Sequence, residues 1–171
     1  MINRSVRKAA KIITVANQKG GVGKTTTVMN LGAALLKFGY KVLLVDNDPQ
    51  GNLTSYFGIA KKVDQVRSVC RAYLETVPTK EKSNLIWANK KGVHLVPSHE
   101  GFAELEQKIY QSKDYQMILS WFLMDLIWSY DFILIDTPPG FGLYTQNALL
   151  ASDYVLVPMQ TEYFSIEGLE K

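Results

Sequence analysis

Cysteine occurs once in the 171 residues, at Cys70. A lone thiol excludes an intrachain disulfide and a cluster held by cysteines of one chain, and its scarcity fits a reducing, cytoplasmic setting. Cys70 is expected as a small packed side chain. No apolar run approaches the roughly 20 residues that a membrane-spanning helix needs, so no membrane span is expected. The basic start is followed by an apolar run too short for a secretory leader. Histidine is limited to His94 and His99, which lack metal-ligand spacing with any partner and are expected to be satisfied or solvent-facing. No internal repeat or low-complexity linker interrupts the chain.

Acid is also missing, but only from one end. Before Asp46 there are lysines and arginines at positions 4, 7, 8, 11, 19, 24, 37 and 41 and no aspartate or glutamate, so the rest of the chain is acidic although the net charge is +3. Anionic ligands are therefore expected near the N-terminal part. Residues 1–10 form a basic tail and a candidate DNA contact, with Arg4, Arg7 and Lys8 as its charges. Hydrophobic content of 47% and charged content of 20% are ordinary for a globular protein, and the length suits one domain with a sizeable core.

What is present begins with a β-branched apolar run, residues 12–16, followed by Lys19, Gly20, Gly21, Val22, Gly23, Lys24, Thr25 and Thr26 and then a helix-compatible segment. Strand, glycine-rich turn and helix in that order make a phosphate-binding loop. Glycines let successive N–H groups turn towards an anion, and the helix adds unpaired N–H groups and the positive end of its dipole. Lys24 is placed for the β- and γ-phosphates and the Thr25 hydroxyl for Mg²⁺. The usual spacing demands glycine at position 18; Gln18 stands there, and Lys19 sits just inside the loop instead. The plainer reading of Lys19 is a solvated loop lysine. A second cation in the cradle makes sense if it too meets phosphate.

Further along, residues 41–46 read as a strand covered on both faces, after a helix over 25–38 that Gly39 ends. Asp46 and Asp48 follow at the carboxyl end of that strand, the edge where such sheets bind ligands. There they can order a metal's water shell and orient an attacking water. Alone, DNDPQGN would pass for a strand-ending turn. Residues 130–136 form a second decisive strand, four apolar residues ending in Asp136, whose carboxylate suits Mg²⁺ or its waters. TPPG at 137–140 forces a non-helical loop, suited to a switch beside a γ-phosphate. Helix is expected over 66–76, loop over 78–84, strand over 92–97 and over 154–159. Two helices are expected over 102–128, with Tyr110, Tyr115, Met117, Trp121, Phe122 and Met124 as core and helix packing, and the start of a helix over 166–171.

KGGVGKTT (19–26), DNDPQGNLT (46–54), FILIDTPPG (132–140) and VPMQTEYFSIEGL (157–169), in that order, resemble the ParA family of deviant-Walker ATPases, which segregate plasmids and chromosomes and are related to MinD. The wording of the second and fourth motifs is more similar to ParA than to MinD. The resemblance implies an α/β P-loop NTPase fold, a mostly parallel sheet flanked by helices, over residues 11–171, with ATP and Mg²⁺ as cofactors. It makes Lys19 the signature lysine that reaches a partner subunit's nucleotide and Lys24 the phosphate-loop lysine. Thr25 becomes the Mg²⁺ ligand, Thr26 a phosphate contact, Asp48 the switch aspartate that positions water, and Asp136 the Walker B aspartate. An ATP-dependent homodimer, a ParB-like adaptor, nonspecific DNA and a nucleoid-associated location are its implied partners and place.

Family members run on for roughly another third of their length, so the sheet is expected to be incomplete on its C-terminal side. A shortened gene product, one piece of a split protein and an engineered fragment all fit that length. Two other functions stay open: a nucleotide- or partner-binding remnant without turnover, and a MinD-like membrane-positioning switch, which needs a basic amphipathic C-terminal helix that these residues do not supply. A nitrogenase-type reductase is excluded, because it needs two cysteines per subunit.

Overall fold

The computed structural model describes residues 8–89 and 92–160. The helix expected over 166–171, most of the fourth motif and most of the basic tail lie outside them. The strands are β1 (Lys11–Val15), β2 (Val42–Asp46), β3 (Trp87–Ala88), β4 (His94–Val96), β5 (Phe132–Asp136) and β6 (Tyr154–Leu156), in one sheet of order β3-β4-β2-β5-β1-β6. Every pairing is parallel except β3 with β4.

Near-continuous apolar strands are buried on both faces, and their alternate residues feed two separate cores. From β2 and β5, Leu43, Val45, Ile133 and Ile135 pack on one side, while Val42, Leu44 and Leu134 pack on the other. The second side is covered by α1 (Lys24–Lys37), through Val28, Leu31 and Leu35. Gly32 lets that helix approach closely, for a Cβ there would lie 2.8 Å from Leu44 Cδ2. Burying each such leucine or valine contributes about 1.5–3 kcal/mol. Gly39 ends the helix with φ +88°: its N–H donates to Leu36 O at 2.9 Å and the Tyr40 N–H donates to Leu35 O at 3.1 Å, a Schellman closure.

The first side is covered by short pieces: α3 (Val69–Leu74), α6 (Ile118–Leu123) and α7 (Leu143–Leu150), with α4 (Thr79–Lys82) and α5 (Glu106–Ile109) between the larger elements, while α2 (Asn52–Tyr56) turns Leu53 into the second core beside α1. The segment expected as a loop over 78–84 is thus α4 running into a 3₁₀ turn. Residues 102–128 are not two plain helices but α5 and α6 flanked by 3₁₀ turns. Phe122 is buried there as expected, whereas Tyr110, Met117, Trp121 and Met124 are exposed. Cys70 is fully buried. His94 hydrogen-bonds the Tyr130 hydroxyl, and His99 Nδ1 accepts from the Gly101 N–H, so both histidines are satisfied.

Candidate phosphate and cation site

Parallel strands with helices returning on opposite faces leave a crevice at their carboxyl ends. The ends of β1, β5 and β2 lie side by side, with Asp136 in register with both Val15 and Asp46. The glycine-rich loop leaves β1 and turns at Gly21 (φ +74°) and Gly23 (φ +90°), backbone positions that a side chain strains. Gly23 caps α1 without a side-chain hydrogen bond, and no acid stands in the first turn, so the helix presents its N–H groups and dipole to the loop. Val22 is buried and anchors the loop, Thr25 is half-buried, and Lys19, Gly20 and Thr26 are exposed.

Lys24 is 7% exposed and folds back on its own loop, its Nζ donating to Asn17 O and Lys19 O at 3.2 Å each. Burial lowers its pKa, and the charges of Asp136 and Asp48 oppose that effect. Asp136 is fully buried, and neither of its carboxylate oxygens accepts a close hydrogen bond among the described residues. Burial pushes its pKa up to about 7; the nearby Thr25 hydroxyl, not in close hydrogen-bonding geometry, pulls it back, and the Asp46 and Asp48 carboxylates add to the rise. A buried acceptor pair without donors suits a cation and its waters. Among the described residues no cluster of three or more His, Cys, Asp or Glu could hold a metal alone. Thr25, Asp48 and Asp136 therefore suit a cation that brings most of its ligands with it, as Mg²⁺ does on a nucleotide.

Asp48 stands in the turn after β2, where one of its oxygens accepts from the Gln50 N–H at 2.9 Å. Burial raises its pKa, against the pull of the Gln50 N–H and Lys24. The loop after β5 is pinned by the Thr137 hydroxyl, which donates to Val15 O at 2.9 Å. Lys24, Asp48 and Asp136 are thus near enough to influence one another's charge, while Lys19 stands out at the loop tip.

Residues 10–171 match the AAA domain family. Over 162 residues the chain is 43% identical to the sporulation initiation inhibitor protein Soj of Bacillus subtilis, spanning 94% of this chain and 62% of Soj. It is 40% identical over 161 residues to the chromosome partitioning protein ParA of Myxococcus xanthus, with 94% and 56% covered. The chain belongs to the ParA family. Its fold superposes on a solved structure from Mycobacterium smegmatis, described as cobyrinic acid a,c-diamide synthase with bound ADP and magnesium, with TM-score 0.86 and 38% identity over 94% of this chain and 64% of that one. A plasmid partition protein from Borrelia burgdorferi bound to AMPPNP gives TM-score 0.82 and 34% identity, with 95% and 68% covered. This ParA-family chain spans about half to three-fifths of the length of the curated relatives it matches.

Several polar residues that shape the crevice escaped the sequence reading. The Asn17 side chain ties the loop to the far edge of the sheet, donating to Pro158 O at 2.8 Å and accepting from the Lys19 N–H at 2.9 Å. Gln160 donates to Gly21 O at 3.3 Å. Thr54 donates to Asp46 through both its N–H (2.7 Å) and its hydroxyl (2.6 Å). The only local signal was a polar residue within or close to a motif, with nothing to show what it bonds.

Proposed function

We propose that this chain is a Mg²⁺-dependent ATP-binding and ATP-hydrolysing switch of the ParA type, acting in plasmid or chromosome partitioning. The observation that carries the reading is the buried Asp136 carboxylate, without a close hydrogen-bond donor among the described residues, beside Lys24 and Asp48, at the strand ends where a glycine loop and a helix N-terminus meet. ATP and Mg²⁺ are the fitting cofactors, as the ADP–magnesium and AMPPNP complexes of similar proteins support.

In this reading Lys24 exchanges its carbonyl partners for the β- and γ-phosphates, which also receive the loop and α1 N–H groups. Thr25, Asp48 and Asp136 would hold Mg²⁺, which would neutralise phosphate charge there. Asp48 orients the attacking water towards the γ-phosphate. Lys19, exposed at the loop tip, reaches the nucleotide of a second copy and neutralises transition-state charge there, so that ATP joins a homodimer. A ParB-like adaptor and nonspecific DNA are the partners, in a nucleoid-associated cytoplasmic setting. No described helix is long and apolar enough to cross a membrane.

The test is ADP release from Mg·ATP by the purified chain, with and without double-stranded DNA, beside Asp48→Ala. Turnover without a second substrate, absent in Asp48→Ala although ATP still binds, is expected; it also separates a switch from a synthase. Equal loss of binding and turnover in Asp48→Ala overturns the role given to Asp48. A folded wild-type chain that binds ATP without turning it over overturns the hydrolytic reading in favour of a binding remnant.

A further inference from the structure

Asn47 lies between the two aspartates of the second motif and belongs to neither the phosphate nor the cation contacts. It is nevertheless fully buried, and a buried amide is costly unless its polar atoms are paired. Three bonds pair it, each to a different element. Its N–H donates to Asp136 O at 3.0 Å, at the end of β5. Its side-chain Nδ2 donates to Tyr144 O at 2.8 Å, in α7, the helix that continues from the 137–140 loop. Its Oδ1 accepts from the Tyr73 hydroxyl at 3.2 Å, in α3.

Tyr73 and Tyr144 are themselves held. Their rings meet edge to face at 5.4 Å and both contact Phe102, at 5.0 Å and 3.9 Å. The Tyr144 hydroxyl donates to Phe102 O, and both tyrosines are buried. The residue directly before Asp48 is thus fixed from the strand beside it and from two helices on one face of the sheet, by groups with little freedom of their own. Asp46 and Asp48 flank Asn47 in the chain and Asp136 lies beside it, and its side-chain bonds go to Tyr144 and Tyr73 rather than to a carboxylate.

We infer that Asn47 is a positioning residue: through Tyr73 and Tyr144 it sets the place of the Asp48 carboxylate and ties the Asp48 turn to the helix following the 137–140 loop. The inference rests on the hydrolytic role proposed for Asp48. A turn moved by about 1 Å loses an in-line arrangement worth up to roughly a hundredfold in rate, while phosphate binding by the Lys24 loop on β1 is untouched. Movement of the 137–140 loop is passed to Asp48 by the same bonds.

Tyr73→Phe removes one oxygen and leaves the aromatic cluster in place; Asn47→Leu removes both side-chain bonds. Two readouts are taken at a temperature where all proteins are folded: steady-state ATP turnover with affinity for a non-hydrolysable ATP analogue, and amide hydrogen exchange without nucleotide. Expected are a kcat lowered about tenfold in Tyr73→Phe and further in Asn47→Leu, with analogue affinity within about twofold of wild type. Exchange over residues 47–53 should quicken about fivefold or more in Tyr73→Phe, with α1 and β1 unchanged. A purely structural role would lower the unfolding midpoint and leave the kcat of folded protein alone. That outcome, or unchanged exchange in Tyr73→Phe, overturns the inference. Should the wild-type chain not turn over, the functional reading fails separately, and the exchange comparison still decides whether Asn47 holds the turn. Tyr73→Phe keeps the test open even if Asn47→Leu does not fold.

Discussion

Replacing Asp136 by asparagine should stabilise the protein at neutral and basic pH in the absence of nucleotide, although it removes a site residue. Asp136 is fully buried and its pKa stands at about 7, against 3.8 for an ordinary aspartate, chiefly because burial disfavours the charge. The folded state therefore holds a proton that the unfolded state releases from about pH 4 upwards. The sign follows from proton linkage: stability from this group is fully present below the unfolded value, declines as pH rises, and is gone above about pH 7. A rise of about three units at 1.36 kcal/mol each makes the ionised carboxylate cost about 4 kcal/mol at pH 8. Asparagine carries no charge but leaves a buried amide poorly paired, which returns about 1–2 kcal/mol of that. The net gain is about 2–3 kcal/mol, or an increase of about 1 M in the urea midpoint at pH 8. At pH 4, where the carboxyl is neutral, the gain should give way to a loss of about 1–2 kcal/mol. Urea titrations of both proteins at pH 4, 6 and 8, without Mg²⁺ or nucleotide, make the measurement. Parallel pH curves, or Asp136→Asn less stable than wild type at pH 8, would refute the account of Asp136 as an uncompensated buried charge.

Lys24→Ala should weaken ATP-analogue binding by about a hundredfold or more, since a charge-assisted contact in a buried site is lost, and equilibrium titration of a fluorescent analogue checks it. Lys19→Ala should leave that affinity nearly unchanged and lower turnover together with ATP-dependent dimerisation; an unchanged rate and unchanged sedimentation would remove the role in a second subunit. Gly32→Val forces γ-carbons into the 2.8 Å approach to Leu44 and should lower unfolding free energy by about 2–3 kcal/mol without touching the site. Gly32→Ala should cost less, because alanine's helix preference returns about 1 kcal/mol. Denaturant unfolding separates the two.

How much of this was legible in the residues varied with the kind of element. β1, α1, β2 and β5 could be placed to within a residue or two, because strands buried on both faces read as unbroken apolar runs and end at glycine or aspartate. Residues 117–128 misled for a physical reason. Met117, Trp121 and Met124 recur at intervals of four and three, which reads as a core-facing stripe, yet all three are exposed. Leu119, Phe122, Leu123 and Leu126 form a second stripe on the same segment, and that one is buried. With two apolar stripes on one segment, only the surrounding fold decides which faces inwards. Helix α7 was not anticipated because it buries Thr145 and Asn147 beside Leu143 and Ala148, so its polar pattern reads as loop. Asn147 is paired by structure distant in sequence: it donates to Tyr115 O and accepts from the Leu119 N–H, which opens α6.

The same blindness affects the site itself, where two aspartates end neighbouring strands in register and share full burial. By local pattern alone Asp46 and Asp136 look alike, each closing an apolar run; only the family resemblance set Asp136 apart. Their partners make them different groups. Asp46 receives two hydrogen bonds from Thr54, and the Thr54 hydroxyl accepts in turn from the Ser98 N–H at 2.8 Å, closing the turn that carries Asp48 against the end of β4. Those bonds offset part of the burial cost, and its pKa rises to about 6 rather than about 7. Asp46 takes its donors from inside the protein, whereas Asp136 has no close donor among the described residues, the Thr25 hydroxyl standing only nearby. A carboxylate whose donors are internal is a clasp; one left without a close donor, beside a helix N-terminus and a lysine, retains the capacity to hold a hydrated cation. Burial alone does not separate the two roles, and neither does position on the strand. The count of donors does.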